Sequence, residues 1–516
     1  MATPGEKLAE SLVVLKDLQD QGKTGIKSQE LNRVHRERLL KGGFISEVML
    51  GWYIVTSHEE DKGDSTSWYT SFWGFCSDYL KDRYKNNYRI SSEQAILLHT
   101  GNNTVPKQLI IESKTGNNRA TNLLYGTSLF IKNSTNNDES KTEIINNLIA
   151  PKLAYALTNC SARMFISNPI EMRSALMMIR DASELLEPLL NGGHSVIAGR
   201  LIGAYRNLGQ DKIANNISKT MTAAGYKIRE EDPFEYKSPI AFKSRDRSPY
   251  VNRVRLMWHE MRKTVINIFP TAPGEIKDKD AYLNQIDELY TTDAYHSLSI
   301  EKYKVSAELI DRVRSGNWDP KENEKDREHR SAMAARGYWQ AFNKVKESIS
   351  SIINGDNPGT VLDEDHGDWY LELFAPSIAT GIVTAGDLAG YRNEQVYIGQ
   401  SMHTPPNNEA VRDIMPLLFE LLEEEENGGV RAVLGHFIFV YTHPYMDGNG
   451  RMGRFIMNAM LASGGYPWTV IPVEERDNYM NSLEAASVDG DIKPFAEFIA
   501  MLVKAGLEGK PLAKLA

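Results

Sequence analysis

The chain has 516 residues, of which 41% are hydrophobic and 25% are charged, and its formal net charge is −9. This length exceeds what a single hydrophobic core serves, so about three to four domains are expected. The acidic balance argues against a protein that coats nucleic acid along its whole length, and the two cysteines exclude a disulfide framework and a cysteine-based zinc site.

The first residues and the overall hydropathy bear on location. The stretch MATPGEKLAESLVVLKDLQDQ is charged and helix-like rather than a signal peptide. Nowhere do about 18 apolar residues follow one another, so no membrane span is expected. We therefore predict a cytoplasmic protein.

Residues 1–60 are predicted to form two helices followed by a hairpin. Four leucines recur at helical spacing in the first helix: Leu8, Leu12, Leu15 and Leu18. Ser28 is expected to cap a second, basic helix that ends at Gly42 and Gly43. The stretch FISEVMLGWYIV then alternates and turns like a short β-ribbon. Together these are the parts of a winged helix.

The basic side chains of this segment leave two functions open. Five of them are candidates for phosphate contacts with duplex DNA: Lys27, Arg33, Arg36, Arg38 and Lys41. A small protein-interaction domain with a solvated charged helix fits the same pattern, because no base-reading residue stands out.

Three further parts are predicted before the last third of the chain. Residues 61–132 combine an aromatic run with short apolar segments, which indicates a mixed α/β domain. Residues 149–228 are helical by pattern, and a polar stretch with three prolines follows them as a linker. Residues 250–364 are again helix-rich. The chain is therefore predicted to be mainly α, with an α/β region first.

The stretch FVYTHPYMDGNGRMGRFIMN, residues 439–458, places polar, charged and glycine residues between two apolar segments. GNGRMG fits a dinucleotide-binding fingerprint, but the residues before it are spaced as a helix rather than a strand. The loop that starts at Asp447 resembles a calcium loop only in its first positions. His436 and His443 lack the spacing of a metalloprotease helix, and His436 is expected to pack inside its own helix.

One interpretation uses every polar residue of this stretch. A helix is expected to end before Pro444, and the turn DGNG then leaves backbone N–H groups free as an anion-binding nest. A second helix starts near Gly450, so its positive N-terminus faces the same nest. Arg451 and Arg454 are three residues apart and share one helical face, which suits a polyphosphate.

The two remaining polar side chains complete this interpretation. Asp447 is a hard oxygen ligand suited to a magnesium ion that bridges phosphates. His443, at the rim, is a candidate general base for an incoming hydroxyl group. Nucleotide, metal and base in one loop predict phosphoryl or nucleotidyl transfer.

The sequence HPYMDGNGRMGR (443–454) resembles the signature of the Fic (Fido) family, HPFx[DE]GNGRxxR, with Tyr445 in place of phenylalanine. YRNEQVYIGQSMHTPP (391–406) resembles the family's flap, a β-hairpin that holds the target peptide over the site. ERDNYMNSLEAASVDGDIKPFAEFI resembles the closing helices. The likeness covers residues 365–500, the predicted Fido domain, and implies a helical core with a β-hairpin flap.

This resemblance implies transfer of AMP from ATP to a Ser, Thr or Tyr hydroxyl of a target protein and of the chain itself. His443 would deprotonate the hydroxyl, and Asp447 would hold Mg²⁺ on the phosphates. The nucleotide-binding residues that it implies are Asp447, Gly448, Asn449, Gly450, Arg451, Met452, Gly453, Arg454, Tyr397, Ile398, Gly399, Gln400 and, near the adenine, Tyr479.

Many members of the family carry an inhibitory helix with the motif [ST]xxxE[GN]. Residues 297–302 match it from Ser297 to Glu301, with Lys302 where glycine or asparagine is usual. In relatives the glutamate pairs with the second signature arginine, here Arg454, so that ATP binds in a non-productive pose. The resemblance therefore implies autoinhibition through Ser297 and Glu301.

Other functions stay open. The N-terminal region resembles the winged helix and following domain of AbiEi-type antitoxins, through LLKGGFISEVMLGWYIV and LLHTGNNTVPKQLII. That implies a DNA-binding transcriptional regulator or antitoxin whose Fic domain senses nucleotide. Removal of AMP from a modified protein, or transfer of another phosphate-containing group, is a further alternative. The predicted partners are ATP, a target protein, duplex DNA and a second copy of the chain, with no membrane.

Overall fold

The computed structural model describes residues 3–58, 63–135, 139–237, 248–316, 330–379 and 390–515. The chain folds as two compact units. The first comprises Met1–Pro249 with Tyr397–Thr404, and the second comprises Tyr250–Val396 with Pro405–Ala516. Helices dominate the described chain, which confirms the predicted mainly α class. The finer division into five segments stays a prediction.

The first unit starts with a small helix–strand–helix–hairpin domain. Its elements are α1 (Pro4–Asp20), β1 (Ile26–Lys27), α2 (Arg33–Lys41), β2 (Ile45–Met49) and β3 (Trp52–Val55). The strands form an antiparallel sheet in the order β1-β3-β2. The small core beneath it consists of Leu15, Ile26, Leu31, Leu39, Ile45 and Tyr53.

Helix α2 begins later than the sequence pattern predicts. Its cap is Asn32, whose side chain accepts a hydrogen bond from the His35 N–H at 2.9 Å. Ser28 is not the cap, because its N–H donates to the carbonyl of Gly51 and residues 28–31 turn instead.

The rest of the first unit is a mixed sheet followed by a helical layer. Its elements are α3 (Thr66–Tyr84), β4 (Arg89–Ile90), α4 (Ser92–His99), β5 (Gln108–Ser113), β6 (Arg119–Asn122), β7 (Ser128–Asn133), β8 (Thr142–Ile145), β9 (Leu148–Pro151), α5 (Leu153–Asn159), α6 (Met164–Ser167), α7 (Pro169–Met178), α8 (Ser183–Gly192), α9 (Ser195–Asn207) and α10 (Asp211–Ala223). The sheet order is β4-β5-β7-β6, and β8 pairs with β9 separately. One continuous hydrophobic core runs from Val48 to Phe234.

The second unit consists of helices and connecting loops, with no strand among its described residues. Its elements are α11 (Pro249–Ile268), α12 (Lys279–Ile300), α13 (Ala307–Arg314), α14 (Arg330–Ile353), α15 (Pro358–Ala379), α16 (Asn408–Glu424), α17 (Gly428–Thr442), α18 (Asn449–Ala462), α19 (Arg476–Glu484) and α20 (Lys493–Leu507). Every residue of α17 is buried, and α18 packs along it. The polar loop 443–448 therefore joins the two most deeply buried helices. None of the helices in the described ranges is long and apolar enough to span a membrane.

The strands predicted for the flap are not formed. Residues 390–406 contain no strand. Within the first unit, the Gln400 N–H donates to Thr66 Oγ1 at 3.0 Å, and the Val105 N–H donates to the Met402 carbonyl at 2.9 Å. Backbone groups that a hairpin would pair internally are thus used elsewhere, and the two prolines at 405–406 offer no N–H for a ladder.

Candidate active site

Helix α17 ends at His443, whose backbone is left-handed (φ 52°, ψ 61°). The His443 N–H donates to the Phe439 carbonyl at 2.9 Å, and Nδ1 lies 3.0 Å from the Val440 carbonyl. Because a carbonyl oxygen only accepts, Nδ1 carries the proton and Nε2 keeps its lone pair. No described residue hydrogen-bonds to Nε2, so this nitrogen is free to take a proton.

The surroundings of His443 favour the neutral imidazole. Burial lowers the pKa of His443, and the hydrogen bond to the Val440 carbonyl opposes this. The positive charge of Arg392 lowers the pKa further, whereas the negative charges of Glu301 and Asp447 raise it. The pKa lies below its ordinary value in sum, so the base form predominates at neutral pH.

The turn after His443 is shaped by two of the predicted residues. Gly448 has φ 82°, and a Cβ there would lie 2.8 Å from the Phe374 ring, so only glycine fits. The Asn449 side chain accepts from the Tyr445 N–H at 2.9 Å and donates to the Tyr445 carbonyl at 2.8 Å. The Asn449 side-chain amide therefore bridges the loop to Tyr445, and Asn449 is also the first residue of α18.

The start of α18 provides free donors. The Met452 N–H bonds to the Gly448 carbonyl at 3.0 Å, so the backbone N–H groups of the preceding helical residues have no intrahelical acceptor. Such groups, at the positive end of a helix, bind anions. Residues 449–451 therefore present N–H groups of the kind that the predicted anion-binding nest requires.

Both signature arginines are buried with donors to spare. Arg451 is 1% exposed, and its guanidinium lies over the rings of Tyr303 at 5.3 Å and Phe374 at 5.1 Å. Arg451 Nε and Nη2 and Arg454 Nη1 have no hydrogen-bond partner among the described residues. A buried donor without an acceptor costs about 1–3 kcal/mol, and more when charged. Phosphate oxygens would satisfy all three.

Arg454 is held by the predicted inhibitory segment. Its Nε donates to Ser297 Oγ at 2.8 Å, and its Nη2 donates to the Ser297 carbonyl at 3.0 Å and to Glu301 Oε1 at 2.8 Å. A Cβ on Gly450 would lie 2.3 Å from Glu301 Oε1, so the carboxylate rests against the first turn of α18. The structure therefore brings Ser297 and Glu301 to Arg454, 153 residues or more along the chain.

Glu301 is ionised in this position. Burial opposes its charge, but the positive charges of Arg454 and Arg451, with the hydrogen bond from Arg454, outweigh burial. The pKa of Glu301 is lowered as a result. The carboxylate is thus an anion that occupies the Arg454 guanidinium.

Other predicted site residues lie inside the packed helices. Met452 is fully buried in α18, and a Cβ on Gly453 would lie 2.7 Å from the Val440 side chain, so both serve the packing of α18 on α17. The hydroxyl of buried Tyr479 lies 2.8 Å from His436 Nε2. His436 is buried as predicted, and burial lowers its pKa to about 3.

Asp447 has the exposure that a shared metal ligand needs. Its side chain is 59% exposed, Oδ1 accepts from the Gly448 N–H at 2.6 Å, and Arg451 Nη2 lies 3.7 Å away. Among the described residues no group of three or more His, Cys, Asp or Glu side chains is placed to hold a metal. A single accessible carboxylate fits a magnesium ion whose other ligands are phosphate oxygens and water.

The predicted flap residues Tyr397, Ile398, Gly399 and Gln400 belong to the first unit. Their role in nucleotide binding stays a prediction. Sequence reasoning missed Arg392, whose Nε donates to the His443 carbonyl at 2.7 Å, and Tyr303 and Phe374 beside Arg451. In the sequence, Arg392 stands near the start of the stretch YRNEQ, and no neighbouring residue type there indicates a catalytic or binding role.

Comparisons with known proteins agree on one family for this region. Residues 371–461 match the family model described as Fic/DOC family. Two curated relatives, each named Protein adenylyltransferase Fic, come from Drosophila mojavensis and Drosophila grimshawi and are 38% identical over 114 residues. That stretch is 21% of this chain and 22% and 23% of those proteins. The chain therefore spans less than a quarter of the length of the curated relatives it matches.

Among solved structures, Fic-1 (aa134 - 508) from C. elegans is 18% identical and covers 69% of this chain and 90% of that chain, with a TM-score of 0.37. A Fic family protein from Desulfovibrio desulfuricans G20 is 19% identical and covers 53% of this chain and 77% of that chain, with a TM-score of 0.32.

Proposed function

We propose, starting from the Fic domain that residues 371–461 form, that this chain is a protein adenylyltransferase. It transfers AMP from ATP to a Ser, Thr or Tyr hydroxyl of a target protein and of itself. The names of the curated relatives support the reaction class. The observation that carries the proposal is a free His443 Nε2 at the end of α17, followed at the start of α18 by two buried arginines with unsatisfied donors.

In this reaction the target hydroxyl oxygen attacks the α-phosphorus of ATP, and the bond from that phosphorus to the β-bridging oxygen breaks. The hydroxyl proton passes to His443 Nε2, and pyrophosphate leaves with the bonding electron pair. Arg451, Arg454 and the N-terminal N–H groups of α18 hold the phosphate oxygens and stabilise the charge that develops on them. Asp447 would hold Mg²⁺, which supplies further charge neutralisation on the phosphates.

We further propose that Glu301 inhibits this reaction in cis. Its carboxylate occupies Arg454 and the first turn of α18, where an outer phosphate would lie in the productive pose. ATP bound without that arginine is free to place its α-phosphate out of line with His443. Geometry therefore supports the inhibition that the motif at 297–302 implies.

The test uses ATP labelled at either the α- or the γ-phosphate, with the full chain and its Glu301→Gly variant. We expect covalent protein label from α-labelled ATP only, and more of it with Glu301→Gly. Label from γ-labelled ATP would indicate a kinase instead. Absence of label from both, with the variant, in the presence of a lysate of the source cells would reject the transferase.

The alternative function, DNA binding by the first unit, has less structural support than AMP transfer. Four of the five basic side chains proposed to contact phosphates already have partners: Lys27 pairs with Asp82, Arg33 with Glu37, Arg36 donates to the Ser28 carbonyl, and Arg38 donates to the Lys7 carbonyl. DNA binding stays a prediction, as does the homodimer.

A further inference from the structure

We infer that Arg392 is a positioning residue for the reaction, which fixes His443 as a base and joins it to the two stems of segment 397–404. The inference rests on the proposed function, because it assigns Arg392 a role in that same site. The guanidinium never touches the reacting atoms in this arrangement and acts through the backbone that carries them.

On one side Arg392 fastens the end of α17. Its Nε donates to the His443 carbonyl at 2.7 Å, and its Nη2 lies 3.4 Å from the Thr442 carbonyl. The Arg392 backbone N–H donates to the Pro444 carbonyl at 2.9 Å. Three successive carbonyls around the left-handed His443 are thus held from a single residue, which fixes the direction of the imidazole.

On the other side Arg392 binds both stems of segment 397–404. Its Nη1 donates to the Glu394 carbonyl at 2.8 Å, before the segment, and its Nη2 donates to the Pro406 carbonyl, after it. Gln395 Nε2 donates to the Pro405 carbonyl at 2.9 Å and closes the same junction. One guanidinium thus holds the two stems at Glu394 and Pro406 together with the carbonyl of His443.

The positive charge of Arg392 is itself informative. The side chain is 2% exposed, and no described carboxylate pairs with it. Burial lowers the pKa of Arg392 to about 10, with help from Arg412, so the group stays protonated at neutral pH. Burying an unpaired cation costs several kcal/mol, which the carbonyls at the negative end of α17 offset. A neutral donor would fasten the loop without that cost, so the charge points to an electrostatic role.

That role is to keep His443 unprotonated. The charged groups that act on His443 are Arg392, Glu301 and Asp447, and Arg392 is the cation that lowers the imidazole pKa against the two carboxylates. Loss of the Arg392 charge should therefore raise the pKa of His443. Loss of its geometry with the charge retained should misdirect Nε2 without that rise.

The experiment separates these two effects in the Glu301→Gly background. Arg392→Lys keeps a charge but has one nitrogen, and Arg392→Gln keeps donors but no charge. Arg412→Gln is the matched control, because Arg412 donates to the Arg392 carbonyl and to Asn393 without reaching His443. For each variant we would measure ATP affinity, the transfer rate against pH, and the His443 imidazole titration by NMR.

We expect both Arg392 variants to bind ATP within about twofold of the parent and to lose at least about tenfold in transfer rate, since misplaced reacting groups cost that much or more. Arg392→Gln should in addition raise the His443 pKa and move the acid limb of the rate profile upward, whereas Arg392→Lys should not. Arg412→Gln should match the parent in all three measurements.

Parental transfer rates in both Arg392 variants would overturn the inference. So would a parallel loss of ATP binding and thermal stability, which would assign Arg392 a purely structural role. If the parent transfers no AMP at all, the proposed function fails, yet the NMR titration still decides whether Arg392 controls the His443 tautomer and pKa.

Discussion

At the scale of single residues, His443 joins a strained backbone to a free ring nitrogen. A non-glycine residue in the left-handed region costs about 1–2 kcal/mol, and here the Val440 and Arg392 contacts hold it there. Backbone strain of this kind is typical of functional sites, where the orientation of a side chain is kept at a cost in folding stability.

The pH dependence of transfer should report the His443 environment. A base acts in its deprotonated form, and its lowered pKa keeps that form populated below the ordinary histidine range. In the Glu301→Gly background we expect the acid limb of kcat/KM below pH 6.5, the ordinary value, with activity lost only as pH falls through the lowered pKa. His443→Ala should bind ATP normally and show no limb and no transfer; an acid limb above 6.5 would contradict the assignment.

Lys302 shows why the inhibitory motif usually ends in glycine or asparagine. Its φ is 64°, its N–H donates to the Ser299 carbonyl at 2.9 Å, and the Tyr303 N–H donates to the Leu298 carbonyl at 3.1 Å. This is a Schellman motif, in which the left-handed position favours glycine. Lysine is tolerated there at the cost of local strain in the turn that carries Glu301.

Lys302→Gly should therefore strengthen inhibition rather than relieve it. Removing about 1 kcal/mol of strain would lower the basal auto-modification rate by up to about fivefold, less what glycine adds to unfolded-state entropy. Lys302→Asn should fall between the two. A rise in auto-modification with Lys302→Gly would show that the lysine side chain, not the turn, maintains the inhibited state.

At the scale of elements, the C-terminal turn of α12 covers both signature arginines. Glu301 binds Arg454, while Tyr303, two residues on, lies over the Arg451 guanidinium. One short turn therefore contacts both arginines of the proposed nucleotide site.

Removing the carboxylate should release the site. Because a charged hydrogen bond is worth roughly 1.5–3 kcal/mol, Glu301→Gly should raise auto-modification by about tenfold to a hundredfold, measured with α-labelled ATP. Ser297→Ala should raise it less, since the Glu301 contact remains. Arg454→Ala should not activate, because productive ATP also needs that arginine; activation by Arg454→Ala would break the argument.

How much of the site can be predicted from the sequence depends on how far apart along the chain the contacting residues lie. Loop residues such as Asn449 and Arg451 come together because they are neighbours in the chain, and Glu301 was found through a motif. Arg392 was missed because the carbonyls through which it reaches the site, those of His443 and Thr442, lie 50 or more residues away, and carbonyls leave no mark in a sequence. The flap strands, which the resemblance to the family implied, were wrong for a related reason: that resemblance cannot reveal that the Gln400 N–H donates to Thr66 Oγ1 instead of to a paired strand.

At the scale of the whole molecule, the chain passes between the two units more than once. It enters the second unit after Pro249, returns for Tyr397–Thr404, and resumes the second unit at Pro405. The stems of that excursion are the residues bound by Arg392, and its middle is anchored within the first unit through Thr66 and Val105. Segment 397–404 of the first unit is therefore covalently continuous, at both of its ends, with the residues that Arg392 binds.

The DNA-binding hypothesis makes its own prediction for the full chain. Of the five basic side chains, Lys41 is exposed and has no partner among the described residues, and Arg33 is 82% exposed in a surface pair with Glu37 that solvent screens. If the small N-terminal domain contacts phosphates, Lys41 and Arg33 are available for those contacts. The slope of the logarithm of the DNA-binding constant against the logarithm of the salt concentration should then be about −2, whereas contacts from all five basic side chains would give about −5.

Salt titrations of duplex binding would decide between the readings. Arg33→Gln and Lys41→Gln should each reduce the slope by about one, since each removes one phosphate contact. Arg36→Gln is the matched control, because Arg36 is committed to the Ser28 carbonyl and should leave the slope unchanged. A slope near −5 would mean that the internal partners of Lys27, Arg36 and Arg38 are released on binding. Absence of binding at low salt would favour a protein-interaction domain, whose partner would then meet the same exposed face of α2.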